Sequence, residues 1–312
     1  MSKLKTAVIG VGYLGKFHAD KYAALDNSDL IAVVDADVQI GRAIADKHGV
    51  KALTDYHELL GKVDAVSIAT PTTTHHQIAR DFLEHNCHVL IEKPITVTVD
   101  EADDLIELAL SHERVLQVGH LERFNAALMD LGDTLETPTF IESHRLAPFN
   151  PRAIDVNVIL DLMIHDIDII LDIVKSDIKE MRASGTPVLT GSTDIANVRL
   201  EFENGCVANV TASRVSTKTE RKMRIFQQNA YISVDFHNRV LNIYKKGDKE
   251  MHPGIPEIIG EESTYDNSDA LKLEIIAFLD AIQQGKPVLV SGEDGRRALD
   301  AAIQISALLK DK

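Results

Sequence analysis

Cysteine is nearly absent. Cys87 and Cys206 are the only two in 312 residues, too few for a disulfide framework or a thiolate metal site and in keeping with a reducing compartment. No run approaches the ~20 uninterrupted apolar residues that a membrane helix needs. Basic charge is also scarce: 33 Lys and Arg stand against 48 Asp and Glu, a formal net charge of -15. A chain this acidic has no overall cationic footprint for a phosphate backbone, so nucleic acid is not an expected partner, and an anionic substrate would need locally clustered arginines. Internal repeats, low-complexity tracts and a flexible linker are missing, and no signal-peptide pattern follows Met1. The expectation is a cytoplasmic protein without membrane association. An apolar content of 45% with 26% charged residues suits a packed core, and the length suits two domains better than one.

From Leu4 to His120, short β-branched runs alternate with longer amphipathic stretches, the pattern of a parallel sheet with crossover helices. Strands are predicted at Leu4 to Ile9, Leu30 to Asp35, Ala65 to Ala69, His88 to Ile91 and Val115 to Val118. Helices are predicted at Gly15 to Leu25, Ile40 to His48, His75 to Glu84 and Val99 to Ser111. After about Leu121 the rhythm changes to strands and hairpins. Asp194 to Phe202 and Cys206 to Ser213 are joined through Asn204-Gly205, a strong hairpin turn, and a second pair follows at Met223 to Gln227 and Tyr231 to Phe236. Helices are expected at Val158 to Val174, at Leu271 to Gln284 with Gly285 as C-cap, and from about Glu293 to Leu309. The fold class is therefore α/β: a doubly wound domain over residues 1–121, then an α+β domain over residues 122–312.

Gly10-Val11-Gly12-Tyr13-Leu14-Gly15 follows a strand and opens a helix, and Asp35 ends the next strand 20 residues on. A bare GxGxxG is weak, but strand, helix and acid together give a Rossmann dinucleotide site. The glycines serve a tight turn, close approach to pyrophosphate and close helix packing, and the helix N-terminus offers amides to phosphate. Asp35 would bond the adenosine ribose hydroxyls and repel a 2'-phosphate, which favours NAD over NADP. Thr70-Pro71-Thr72-Thr73-Thr74-His75-His76 follows a strand at the carboxyl edge where ligands of this fold bind, though threonines before a helix are also ordinary caps. Glu92-Lys93-Pro94 brings a lysine to the same edge; from position alone it is as easily a solvated charge. In Val158 to Val174, Asp161, His165, Asp168 and Asp172 recur on one stripe of an otherwise apolar helix. That stripe is either a solvated face or a histidine poised among carboxylates to exchange a proton near neutral pH. A metal reading is weaker, because hydride transfer to a nicotinamide needs no metal and no second histidine cluster completes a site. Arg145, Arg152, Arg214, Arg221 and Arg224 lie in the second half, and Arg145 and Arg152 precede the Asp161 helix closely enough to reach an anionic substrate.

In that order, GxGxxG, an acid after the second strand, ThrPro with a histidine, GluLysPro and a D-x-x-x-H-x-x-D helix, the whole chain resembles the glucose-fructose oxidoreductase, inositol dehydrogenase and MocA family (Gfo/Idh/MocA). The resemblance implies NAD as cofactor, held by Gly10, Gly12, Tyr13, Leu14, Gly15, Asp35, Thr70, Pro71, His75, Glu92 and Lys93. It implies Lys93, Asp161 and His165 as catalytic residues, with either Lys93 or His165 as proton acceptor. It also implies a second domain on an open, mostly antiparallel sheet, one face for substrate and the other for contacts in a homodimer or homotetramer. Family members often carry Gly where Met163 stands. Gly119-His120-Leu121-Glu122-Arg123-Phe124-Asn125 and the phrase from Asp161 to Asp168 look most like the branch that oxidises the 3-hydroxyl of UDP-N-acetylglucosamine. That adds His120 to Arg145 and Arg152 as substrate contacts. The alternatives are a dehydrogenase of a free polyol or sugar such as inositol, and a dinucleotide sensor without turnover, which would need neither Lys93 nor His165.

Overall fold

The computed structural model describes residues 2–150, 156–266 and 268–310. The chain forms two compact units, one of residues 1–124 with 269–299, the other of 125–268 with 300–312.

In the first unit six parallel strands take the order β3-β2-β1-β4-β5-β6: β1 (Leu4–Ile9), β2 (Ser28–Val34), β3 (Lys51–Leu53), β4 (Ala65–Ile68), β5 (His88–Glu92) and β6 (Leu116–Gly119). Crossover helices α1 (Gly15–Ala24), α2 (Val38–His48), α3 (His75–Glu84) and α4 (Val99–Ser111) connect them. The central strands are apolar on both faces because helices cover both: Ala7, Val8, Ala65, Val66, Val89 and Ile91 are all buried. Local signals start the helices. The Asp37 carboxylate accepts the Gln39 and Ile40 amides at the head of α2, and Thr98 with Glu101 makes a capping box on α4.

The sequence expectation divides the chain after residue 121; the compact units divide after Phe124, and residues 269–299 return to the first. Their helix, which becomes α7 below, places Ile275, Phe278 and Leu279 in one core cluster with Val8, Tyr22, Val33 and Leu90. Apolar burial there outweighs sequence distance.

The second unit holds an eight-stranded sheet in the order β14-β13-β12-β11-β7-β10-β9-β8. Its strands are β7 (Pro138–Leu146), β8 (Ile178–Thr186), β9 (Ile195–Phe202), β10 (Val207–Ser213), β11 (Glu220–Gln227), β12 (Ala230–Asp235), β13 (Val240–His252) and β14 (Ile255–Thr264). Only β7 and β10 pair in parallel, so the sheet is mostly antiparallel as expected. The Asn204-Gly205 turn joins β9 to β10, with Gly205 at φ 86°. Along the chain follow a one-turn α5 (Ala126–Met129), α6 (Ile164–Val174), α7 (Ala270–Gln284), closed by left-handed Gly285, and α8 (Gly292–Lys310). Helix α6 lies on β7 and β10. Phe140, Phe226, Tyr231 and Tyr244 form a ladder across neighbouring strands, with successive ring centroids 5.7, 5.0 and 5.6 Å apart.

Candidate active site

The turn after β1 is built for a ligand's backbone to pass closely. Gly10 has φ +80°, and a Cβ there would meet Thr70 and the Ala69 carbonyl at 2.8 and 2.9 Å; a Cβ on Gly15 would lie 1.8 Å from the Gly10 oxygen. No side chain caps the start of α1, though the Phe17 amide is taken by the Leu14 carbonyl at 2.9 Å, and an uncapped helix start of this kind suits an anion. Asp35 stands at the end of β2, its Oδ2 accepting the Val11 amide and its Oδ1 the Asp37 amide, each at 2.9 Å. A carboxylate has about four lone-pair sites, which leaves room for two ribose hydroxyls. Tyr13 and Leu14 are exposed beside this turn. The cradle, the uncapped helix and the anchored acid fit NAD. Because Asp35 carries the charge that a 2'-phosphate would meet, NADP is expected to bind at least about tenfold more weakly than NAD. A titration with both cofactors checks this, and equal affinities would mean that Asp35 does not meet the ribose.

At the carboxyl ends of β4 and β5 two turns are tied together by one buried histidine. His75 Nε2 lies 2.9 Å from the Thr70 carbonyl and Nδ1 3.0 Å from the Pro94 carbonyl. Burial pushes its imidazole below the ordinary histidine value, against the pull of the two carbonyls. Thr74 Oγ1 closes the first turn, 2.8 Å from both Thr70 Oγ1 and the Pro71 carbonyl. The second turn carries Glu92, half-buried Lys93 and a cis Lys93-Pro94 bond. His120, at the end of β6, is buried.

In the second unit, the expected continuous helix from Val158 to Val174 is divided. Residues Ile159–Met163 form a π turn and the regular α6 begins at Ile164, so Asp161 sits in the π turn and His165 in the first α turn. Such widened turns are frequent at functional sites. Asp161, His165 and Asp172 are half-buried, while Asp168 is buried; the stripe is not a solvated face. Two buried ion pairs fix this segment. Asp166, next to His165, accepts from Ser143 Oγ at 2.7 Å and from Arg145 Nε at 2.6 Å. Arg214 donates to Asp194 Oδ1 at 2.7 Å and to the Val156 carbonyl at 2.6 Å, and the Val158 amide bonds the Thr193 carbonyl. Burial would raise the Asp194 carboxyl, but the Val188, Thr190 and Leu189 amides and Arg214 together hold it far below the usual carboxylate range. The Asn157 side chain caps the Ile159 and Leu160 amides.

The candidate arginines are thus placed differently from one another. Arg145 is 3% exposed and faces Asp166. Arg214 is equally buried, Arg224 pairs with Glu142 on the sheet, and Arg221 is exposed. Arg152 lies outside the described residues.

Residues 4–120 match the family model of an oxidoreductase family with an NAD-binding Rossmann fold, and residues 130–233 match the Gfo/Idh/MocA C-terminal domain. Over 306 residues the chain is 43% identical to UDP-N-acetylglucosamine 3-dehydrogenase of Acidithiobacillus ferrooxidans, covering 98% of this chain and 97% of that protein. The chain belongs to the Gfo/Idh/MocA family. A solved structure of the Acidithiobacillus enzyme superposes with a TM-score of 0.91 at 40% identity, covering 100% of this chain and 99% of that one. Myo-inositol 2-dehydrogenase of Thermotoga maritima is 27% identical over 330 residues, covering 99% and 97%. This family member is therefore an NAD-dependent oxidoreductase, as the sequence motifs imply.

Sequence reasoning passed over Asp166 and Asp194, the two acids that hold the Asp161 segment in place. The only signal for Asp166 was a carboxylate in a helix too apolar to solvate it; its partner could not be named without the strand that carries Arg145.

Proposed function

We propose that this Gfo/Idh/MocA enzyme oxidises the 3-hydroxyl of UDP-N-acetylglucosamine, or of a related nucleotide sugar, to a 3-keto sugar. The supporting observation is the 43% identity over nearly the full length of both chains to an enzyme of that name. Bound NAD supplies the hydride acceptor. His165 takes the hydroxyl proton on its imidazole as the carbonyl forms at that carbon. Lys93 donates to the same oxygen and stabilises the negative charge that develops on it. Asp161, four residues before His165, orients the substrate or shares the proton. His120 and Arg152 are assigned to the substrate, and Thr70, Pro71, His75 and Glu92 to the cofactor edge.

Arg145 needs a second role. With its guanidinium held by Asp166, we assign it chiefly to positioning the helix of His165 and leave phosphate contact to Arg152. The aromatic ladder from Phe140 to Tyr244 continues on the same face into exposed Ile258 of β14, and we assign this side of the sheet to contact with a second copy in a homodimer or homotetramer. Both cysteines are buried and free, and among the described residues no helix is long and apolar enough to cross a membrane; we place the enzyme in the cytoplasm.

NADH formation with UDP-N-acetylglucosamine, N-acetylglucosamine and myo-inositol at equal concentration tests the reading. UDP-N-acetylglucosamine is expected to give the highest kcat/KM, by about tenfold or more, since each charged hydrogen bond to a diphosphate contributes on the order of 1.5 to 3 kcal/mol. If inositol were the best substrate, the polyol dehydrogenase reading favoured by the Thermotoga relative would replace it.

A further inference from the structure

Behind the Lys93 turn, α1, β5, β6 and α7 of the first unit enclose a group of polar side chains of which only Glu92 has so far been given a role. His18 Nε2 lies 3.0 Å from Glu92 Oε1, and ligand atoms of His18, Glu92 and Glu274 are all within 4.8 Å of one another. Glu274 is 0% exposed, and among the described residues neither of its carboxyl oxygens has a hydrogen-bond partner; the same holds for His18 Nδ1 and Gln117 Oε1. Gln117 Nε2 donates to the Glu274 backbone carbonyl at 3.1 Å; Tyr22, bonded to Ser67, is a titratable neighbour of Glu274, and the turn of residues 121–124, which carries Glu122 and Arg123, also packs on α7. Glu92 is the link to the site. Its carboxylate accepts the backbone N–H of Lys93 as well as the His18 bond. Gly119 on β6 makes its room, since a Cβ there would be 3.1 Å from the Glu92 carboxyl.

Two carboxylates this close, one without access to water, do not both ionise; one of them keeps a proton. Glu92 is the one that ionises: burial works against its charge, but His18 and the Lys93 ammonium and amide prevail and lower it. Burial, then the charge on Glu92, raise Glu274 well above its ordinary value. A neutral carboxyl is a donor, and the Glu92 carboxylate, with an oxygen within 4.8 Å of one of Glu274's, is the charged acceptor of this group.

We propose that Glu274 is a buried, proton-bearing acid that donates to Glu92, and that it serves as a positioning residue for Lys93 by fixing the carboxylate on which the Lys93 backbone hangs. The single negative charge so retained lies behind the lysine and favours its ammonium form. The positioning part rests on the catalytic role proposed for Lys93; the shared proton does not.

The sign of the pH effect follows from the raised value. Glu274 holds its proton more tightly folded than unfolded, so the stability it contributes is complete below the ordinary glutamate value of 4.5 and is lost as pH rises towards its folded value. Glu274→Gln keeps a neutral donor without that loss. Urea unfolding of the whole enzyme from about pH 5 to about pH 9 should therefore show the Gln variant gaining on the wild type by up to about tenfold in unfolding constant per pH unit. A Gln variant less stable than wild type at neutral pH would overturn the shared proton, as would one equivalent of bound Zn2+ or Mn2+ in metal analysis of the purified enzyme, because Glu274 would then be an ionised ligand.

Glu274→Leu, which cannot donate, should lower kcat by about tenfold with little change in NAD affinity, and Glu274→Gln should recover most of that loss. A folded Leu variant with wild-type kcat and pH profile would overturn the positioning role. If Lys93→Met kept full turnover, the catalytic reading would fail while the unfolding result still judged the shared proton.

Discussion

Lys93→Met and His165→Asn are each expected to lower turnover by about two to four orders of magnitude, the usual range for loss of a proton-transfer or charge-stabilising group. NAD affinity should change little, because the adenosine and pyrophosphate ends are assigned to Gly10, Gly12, Gly15 and Asp35. Both substitutions preserve bulk at half-buried positions, so large losses of stability are not expected from them. Steady-state kinetics paired with a cofactor titration separates the effects: turnover falls while the NAD dissociation constant holds. Wild-type turnover in either variant would remove that residue from the chemistry, and wild-type turnover in both would revive the dinucleotide sensor.

Arg145→Ala should act on stability first. It leaves Asp166, 0% exposed, as a charge without its guanidinium, and breaking a buried pair from one side costs about 3 to 5 kcal/mol. Urea unfolding should show the loss as a lower midpoint. The double variant Arg145→Met with Asp166→Leu should recover most of it, because the unpaired charge is gone and similar volume is kept. Kinetics on the folded fraction of Arg145→Ala then distinguish its two assignments. A lower kcat at nearly constant KM marks a residue that positions the His165 helix; a KM for the nucleotide sugar raised about tenfold with kcat intact would restore Arg145 as a phosphate ligand.

What could be read from the sequence was mostly local. The turn from Gly10 to Gly15 and the acid at Asp35 are set by neighbours along the chain, and the cofactor unit was legible from them. Hairpins marked by Asn204-Gly205 were legible for the same reason. Strand β7 was not, because Ser143 and Arg145 occupy inward positions where apolar residues would have shown the alternation, and their reason for being inward is Asp166 on another element. Strand β3 is three partly exposed residues long, and β13 runs through Lys245 to Glu250, which reads as a polar loop. Lys93, Asp161 and His165 stood out only together, through a family pattern. The π turn at Asp161 and the group around Glu274 carry no local mark, since both arise from packing between segments far apart in sequence.

The return of residues 269–299 to the first unit has a consequence for the chain as it is made. When Phe124 leaves the ribosome all six strands of the dinucleotide sheet exist, but Val8, Tyr22, Val33 and Leu90 still lack Ile275, Phe278 and Leu279. At about 5–20 residues per second, the missing helix follows about ten to thirty seconds later. During that interval the nascent sheet shows an uncovered apolar patch, so this stage of synthesis is where a chaperone should engage and where a chain halted short of residue 299 should aggregate.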